Sequence, residues 1–293
     1  MSAISETVSQ RMTLGMLADR YGYELVPDFA RDVTITSLAN DVESVTPGAL
    51  FMPGTRIDKG RIALAVRRGA YAVLLPTSMR NAVDDPQVPV VFADPTPRQI
   101  GELASSIAGR PAESIAVFAV AGSDVDAVRK DVDVLAQFLH MLGNPVGTVC
   151  EGDSQSLERF LDLSYPVDAF AMQRVFSVCV EDGAAAIIIA LNNRSVASGA
   201  LEAVGVDVLG YDDAAGDERI DEMLAHVSEQ YGCVLDANTH LAQRGEETDA
   251  MAEQADFGEG ETRPLSLAIA MVLAAGVRKA NIRNALRVSR EMR

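Results

Sequence analysis

VFAVAGSDVDAVRKDVDVLAQFLHMLG, running from Val117 to Gly143, reads as an apolar strand, a turn of small residues and an amphipathic helix. Val125, Val128, Val132, Leu135, Leu139 and Leu142 recur at steps of three and four and form one stripe. The outline is that of a nucleotide-binding element. Such a loop needs glycines that let backbone N–H groups approach phosphates, a lysine for the terminal phosphates, and a Ser or Thr hydroxyl for magnesium. The turn itself reads Ala121, Gly122, Ser123, Asp124, Val125, Asp126, Ala127 and Val128, so the lysine and the second glycine are missing.

The pattern continues downstream. "NPVGTV" returns as a strand, "PVDAFAMQRVFSVCVEDG" as a helix ending at Gly183, and "AAAIIIAL" as a strand buried on both faces. A short helix over "VASGALEAVG", a strand over "VDVLGYD", a helix over "DERIDEMLAHVSEQYG" and a strand over "CVLDA" follow. Residues 238–263 lose periodicity and gain acid and glycine, which predicts an acidic surface loop. Two helices close the chain, "PLSLAIAMVLAAG" and "RKANIRNALRVSREMR". Continuous apolar strands separated by helices imply a doubly wound, mainly parallel sheet.

Ahead of Val117 the texture differs. "DVTITSLA", "ESVTPGALFMPG", "AYAVLLP" and "VPVVFAD" are strand-length runs among turn signals. "RIALAVRRGA" has helical spacing ending on Gly69, and Thr96-Pro97 open a second helix that stops at Gly109-Arg110-Pro111. The expected organisation is a small N-terminal α/β domain over 1–111 and a doubly wound α/β domain over 112–293.

Composition excludes several function classes. With 42 acidic against 25 basic residues the formal net charge is -17, which repels phosphate backbones and anionic lipid, so nucleic acid and membrane surfaces are not the expected partners. Three cysteines, Cys150, Cys179 and Cys233, show no C-x-x-C spacing, arguing against disulfides and zinc and for a reducing compartment. No signal peptide or membrane-length apolar segment is read, so a cytoplasmic location is expected. His140, His226 and His240 are scattered and read as surface or loop residues. Asp212, Asp213 and Asp217 could cluster at a strand end, but read more simply as a solvated loop.

The order of motifs resembles the Mur ligases, closest to those that add the third residue to UDP-N-acetylmuramoyl-dipeptide. The matching pieces are Val45-Thr46-Pro47-Gly48-Ala49-Leu50-Phe51, Asp58 and Gly60, Gly69-Ala70, Leu103-Ala104 and Gly109-Arg110-Pro111. Further on, "LSYP" at Leu163 to Pro166, "VDVLGYDDAAGDE", "PLSLAIAMVLAAGV" and "VSREMR" are similar to later family motifs, and the resemblance covers most of the chain in order. It implies a UDP-substrate-type domain followed by an ATPase-type central domain, with the family's C-terminal ligase domain expected to be absent.

Carried over position by position, the family's loop Thr-Gly-Thr-Asn-Gly-Lys-Thr-Thr keeps only Gly122 and a hydroxyl at Ser123. Asp124 follows, Val125 replaces the second glycine, Asp126 the lysine, and Ala127 and Val128 the threonines. One unit charge at about 4 Å is worth roughly 4 kcal/mol at an effective dielectric near 20, and lysine to aspartate counts it twice. Arg129 and Lys130 lie one turn too far along to substitute. Where the family binds magnesium, the strand end offers Ala190, Leu191, Asn192, Asn193 and Arg194, without the hard anionic oxygens that magnesium takes. Ser164 stands in the Thr-Thr-Pro equivalent and Asp217 in the Asp-His equivalent. In the N-terminal domain Asp41-Val42-Glu43 aligns with an Asp-Ser-Arg uridine-nucleotide motif, beside Pro47 and Gly48. The expectation is a non-catalytic homologue that has lost ATP and magnesium and binds another protein of cell-wall synthesis. An active or trans-complemented ligase, and a sensor of a UDP-muropeptide or nucleotide, are the alternatives.

Overall fold

The computed structural model describes residues 12–54, 57–81, 87–211, 217–255 and 260–291. They fall into two compact units, Met1–Arg110 and Pro111–Arg293.

In the first unit the elements run β1 (Met12–Thr13), α1 (Leu14–Tyr21), β2 (Glu24–Val26), β3 (Thr34–Ile35), β4 (Ser37–Ala39), β5 (Ala49–Phe51), α2 (Lys59–Arg67), β6 (Ala70–Leu75), β7 (Val90–Phe92) and α3 (Pro97–Ile107). A five-stranded sheet has the order β2-β7-β6-β5-β4, parallel except where β2 joins β7, while β1 and β3 form a separate antiparallel pair. The run expected as one strand over "DVTITSLA" is therefore two. At Thr36 the backbone N–H leaves the ladder and donates to the Gly48 carbonyl at 3.0 Å, so Ile35 and Ser37 join different sheets. Thr96 and Gln99 make a reciprocal capping box at the start of α3, as the Thr-Pro signal implies.

Two glycines let the connections into β5 and β6 press together. Gly48 has φ 89° and Gly69 has φ 108°, and the Gly48 N–H donates to the Gly69 carbonyl at 2.9 Å. A Cβ on Gly69 would stand 2.9 Å from Pro47 Cα, a backbone atom that cannot swing away.

The second unit contains β8 (Ala116–Ala121), α4 (Val125–Met141), β9 (Val146–Val149), β10 (Gln155–Ser156), β11 (Arg159–Phe160), α5 (Ala169–Glu181), β12 (Ala186–Leu191), β13 (Val208–Tyr211), α6 (Asp217–Tyr231), β14 (His240–Ala242), α7 (Glu246–Ala255), α8 (Thr262–Ala274) and α9 (Lys279–Glu291). The sheet order is β11-β10-β9-β12-β8-β13-β14, parallel from β9 to β14, with the β10–β11 hairpin antiparallel at one edge. Strand pleating splits the core in two. Phe118, Val120 and Ile188 pack with Val132, Leu135 and Phe138 of α4 and Ile269 of α8, while Val117, Ala119, Ile187 and Ile189 pack with Met172 and Phe176 of α5. Each large side chain buried this way contributes about 1.5–3 kcal/mol. The α4 stripe is broader than its sequence pattern suggests: Val134, Phe138 and Asp131 are buried too, and Val125 and Leu142 stay half-exposed.

Three expectations are corrected. The segment "VASGALEAVG" is a run of turns, because Gly199 (φ 70°) and Ala203 (φ 64°) take left-handed backbone, and its ends make isolated parallel bridges, Val167 with Val196 and Gly205 with Val234. "CVLDA" forms only that bridge, and the sheet takes His240–Ala242 as its next strand. Residues 238–263 are thus not an acidic loop throughout: they supply β14 and α7. Met251, Ala252 and Ala255 of α7 enter the core, and Glu246, Glu247 and Asp249 sit in its first turn, where the helix dipole favours acid. Residues 256–259 lie outside the described residues. Among the described residues no helix is long and apolar enough to cross a membrane.

Replacing Gly69 by alanine is expected to lower stability by about 1–3 kcal/mol, since left-handed backbone and a collision with Pro47 act together. Urea unfolding, with amide exchange of β5 and β6 as the local readout, measures it.

Candidate functional site

The turn between β8 and α4 closes on itself. The Asp124 carboxylate accepts the N–H groups of Asp126 at 2.9 Å and Ala127 at 3.2 Å through one oxygen, Oδ1. These are helix-terminal donors that a phosphate would otherwise engage, and here an aspartate of the same chain holds them. Gly122 is not left-handed; it is kept for space, since a Cβ there would lie 3.0 Å from Val128 Cγ2. Ser123, Asp124 and Asp126 are exposed, Val125 and Ala127 half-buried.

A cleft of about 310 Å³ opens at this turn, lined among others by Ser123, Asp124, Lys130, Asp131 and Arg263. Its nearest lysine is already engaged: Lys130 Nζ donates to the Gly260 carbonyl at 2.7 Å. Arg129 points elsewhere and donates to the Glu151 carbonyl at 2.5 Å. Arg129 and Lys130, the two cations at the start of α4, therefore serve backbone carbonyls.

The register Leu191 to Ala121 sets the end of β12 beside this turn. Ala190 is fully buried in the core and presents nothing to a ligand. Asn192 Oδ1 accepts from the N–H groups of Arg194 (3.1 Å) and Ser195 (3.0 Å), and its Nδ2 is buried with no hydrogen-bond partner. Asn193 Oδ1 accepts from Gln230 Nε2 at 3.2 Å and the Tyr231 hydroxyl at 3.3 Å. Arg194 stands 4.0 Å from Glu151 Oε2, and Ser195 Oγ accepts the Glu151 N–H at 2.9 Å. Most of the polar atoms at this strand end are spent on local turns. Ser195, which the sequence reading passed over, is the residue that ties the ends of β9 and β12 together, and only the strand order makes it visible.

Ser164 is exposed and apart from this network; its neighbour Tyr165 donates to Ser154 Oγ at 2.7 Å, and Ser154 in turn bonds the Cys150 backbone. Asp217 opens α6, while Asp212 and Asp213 lie outside the described residues. No group of three or more His, Cys, Asp or Glu side chains suited to a metal ion occurs among the described residues.

In the first unit, Asp41 caps a short 3-10 turn over Val42–Ser44, accepting the Glu43 N–H at 3.1 Å. Val42 is buried, and both acids face arginines on or beside α2: Arg61 to Asp41 at 3.2 Å and Arg68 to Glu43 at 2.6 Å. Arg68 also donates to the Val42 carbonyl at 3.1 Å. Glu43, expected from the resemblance to stand at an arginine position, is held by the guanidinium of Arg68. Pro47 and Gly48 form the glycine-dependent turn into β5 described above.

The cysteines are buried, and burial raises all three thiols, Cys233 to about 11; at Cys150 the Arg129 charge and a hydrogen bond with Ser195 pull partly the other way. Because the thiolate is the reactive form, a raised value leaves less of it near pH 8. In the folded protein a thiol-specific disulfide reagent is expected to leave them unreacted at about pH 8, and to titrate all three once denaturant is added. Truncating the cap by Asp124→Ala is expected to cost about 1 kcal/mol in urea unfolding, with Asp124→Asn retaining most of it.

No protein-family model matches the chain. Among curated proteins, it is similar to the UDP-N-acetylmuramoyl-L-alanyl-D-glutamate--2,6-diaminopimelate ligase of Pseudomonas aeruginosa, 27% identical over 191 residues, which are 63% of this chain and 38% of that enzyme. The ligase of the same name from Xanthomonas oryzae pv. oryzae is 28% identical over 200 residues, again 63% and 38%, and that of Parasynechococcus marenigrum 36% over 110 residues, 35% and 21%. The chain thus spans about two-fifths of the length of the first of these relatives. Among solved structures, a UDP-N-acetylmuramoyl-L-alanyl-D-glutamate--2,6-diaminopimelate ligase superposes with a TM-score of 0.63 at 12% identity, covering 94% of this chain and 66% of that one. A UDP-N-acetylmuramoylalanyl-D-glutamyl-2,6-diaminopimelate--D-alanyl-D-alanyl ligase from Acinetobacter baumannii gives 0.56 at 13%, covering 94% and 68%. The motif order, the two α/β units and these comparisons agree: the chain is similar to the Mur ligases in sequence and in fold.

Proposed function

We propose that this chain is a non-catalytic relative of the Mur ligases that acts in peptidoglycan precursor synthesis by binding another protein. The observation that carries the reading is the Asp124 carboxylate on the N–H groups of Asp126 and Ala127. A ligase of this class activates a carboxylate with ATP, and the charge that develops on the transferred phosphoryl group needs cationic and N–H partners. Here the helix N-terminus is capped by an anion, Asp126 adds a second in its first turn, and Lys130 is tied to Gly260. The strand end beside it supplies amides and an arginine in place of carboxylates.

The charge balance supports the choice of partner. A chain of net charge -17 favours association with a basic protein face and disfavours polyanions. The relatives named above are ligases of UDP-N-acetylmuramoyl peptides by their names, which supports looking for the partner among proteins of the same pathway.

The expected result of calorimetry with magnesium-ATP is no binding, and phosphate release in the presence of UDP-N-acetylmuramoyl-dipeptide and diaminopimelate is expected to stay at background. A bound ligand at a hundred times its dissociation constant would add about 2.7 kcal/mol of stability, so a thermal-shift series reads the same question independently. Asp126→Lys alone is expected not to restore binding, because Asp124 keeps the donors. Nucleotide hydrolysis or ligation by the unmodified chain would overturn the proposal.

A further inference from the structure

A large groove of the second unit lies away from the β8–α4 turn. It has a volume of about 1080 Å³ and sits where the C-terminal half of α4, the start of β9 and the β10–β11 hairpin meet. Met141, Val146 and Leu157 give it an apolar lining. Its charged members are unevenly satisfied. Asp182 Oδ2 accepts from Ser156 Oγ at 2.5 Å and from Arg159 Nη2 at 2.6 Å, so the arginine is neutralised. Those contacts hold the Asp182 carboxyl below its usual range, the Ser156 hydroxyl first and Arg159 after it. Glu158 is exposed and makes no ion pair among the described residues, which leaves the mouth net negative. Beside it β11 ends the sheet, with one edge unpaired among the described strands and Phe160 72% exposed.

We propose that this groove docks an extended segment of a partner protein in which apolar and basic residues alternate, the backbone adding to β11, the apolar side chains entering the groove and a cation meeting Glu158. The inference rests on the interaction reading above and names its surface. An edge strand supplies main-chain hydrogen bonds, and alternate side chains supply specificity. A second copy of the chain is disfavoured as the occupant, because two molecules of charge -17 repel. An acidic segment would meet Glu158 with like charge.

The test uses the full chain and three synthetic peptides of roughly seven residues: alternating Lys and Leu, alternating Glu and Leu, and the first with a central proline. Binding is read by fluorescence anisotropy and by amide exchange. The Lys-Leu peptide is expected to bind at least about tenfold more tightly than either control, to protect amides of 158–161, and to weaken as salt rises from about 50 to about 500 mM. Glu158→Lys, an exposed change that leaves the fold intact, is expected to weaken it about fivefold, and Ala136→Trp, which fills the groove wall, likewise. Equal binding of the acidic peptide, protection elsewhere, indifference to both variants, or self-association through β11 in sedimentation would overturn the proposal. ATP hydrolysis measured on the same samples separates the two readings: activity with a groove that still binds would sink the non-catalytic role and leave the docking site standing.

Discussion

β12 is buried along all of its six residues, Ala186 to Leu191, and lies between β9 and β8. A strand apolar on both faces cannot border water on either, so the sheet must be covered twice. That requirement fixes where α4, α5 and α8 go, and through the pleat it decides which residues of β8 belong to which half of the core. It also brings the turns after β8, β9 and β12 to one end of the sheet. Functional chemistry in this architecture gathers at such an end.

At that end the chain has made choices consistent with its own stability. The cap on α4, the Asn192 turn and the Ser195 bridge to Glu151 satisfy groups that an open ligand site would leave for a substrate. In the first unit too the acids are locally paired, Glu43 by Arg68 and Asp41 by Arg61. In both units an acid, Asp126 or Glu43, stands at a position that the family resemblance assigns to a cation, and Glu43 is paired by an arginine of its own.

Much of this was legible in the sequence. The strand-turn-helix from Val117, the runs over β12 and β13, and the Thr96 cap announce themselves through period and local chemistry. What stayed hidden has a physical cause in each case. α7 is rich in acid and buries only Thr248, Met251, Ala252 and Ala255, too small a face to stand out in its window. "CVLDA" has strand composition yet loses its place to His240–Ala242, since pairing with β13 is decided by geometry beyond the window. Asp124, directly before the first residue of the α4 stripe, stands at the usual capping position, so its cap was open to sequence reasoning, whereas the reach of Lys130 to Gly260 depends on a side-chain position that no spacing rule supplies.

The strand order has a further consequence for how the chain is made. β8, early in the second unit, pairs with β12 and β13, and the Val117 N–H donates to an Asp207 oxygen 90 residues on. During synthesis β8 therefore emerges with neither neighbour available. Loop-closure entropy must be met before any of its ladder forms, so the centre of the sheet carries the larger closure cost. The hairpin β10–β11, by contrast, has partners only a turn apart, and β10 is the neighbour of β9 that lies nearest in sequence. Topology thus leaves β8 without either of its ladder partners until the chain has extended through Leu191.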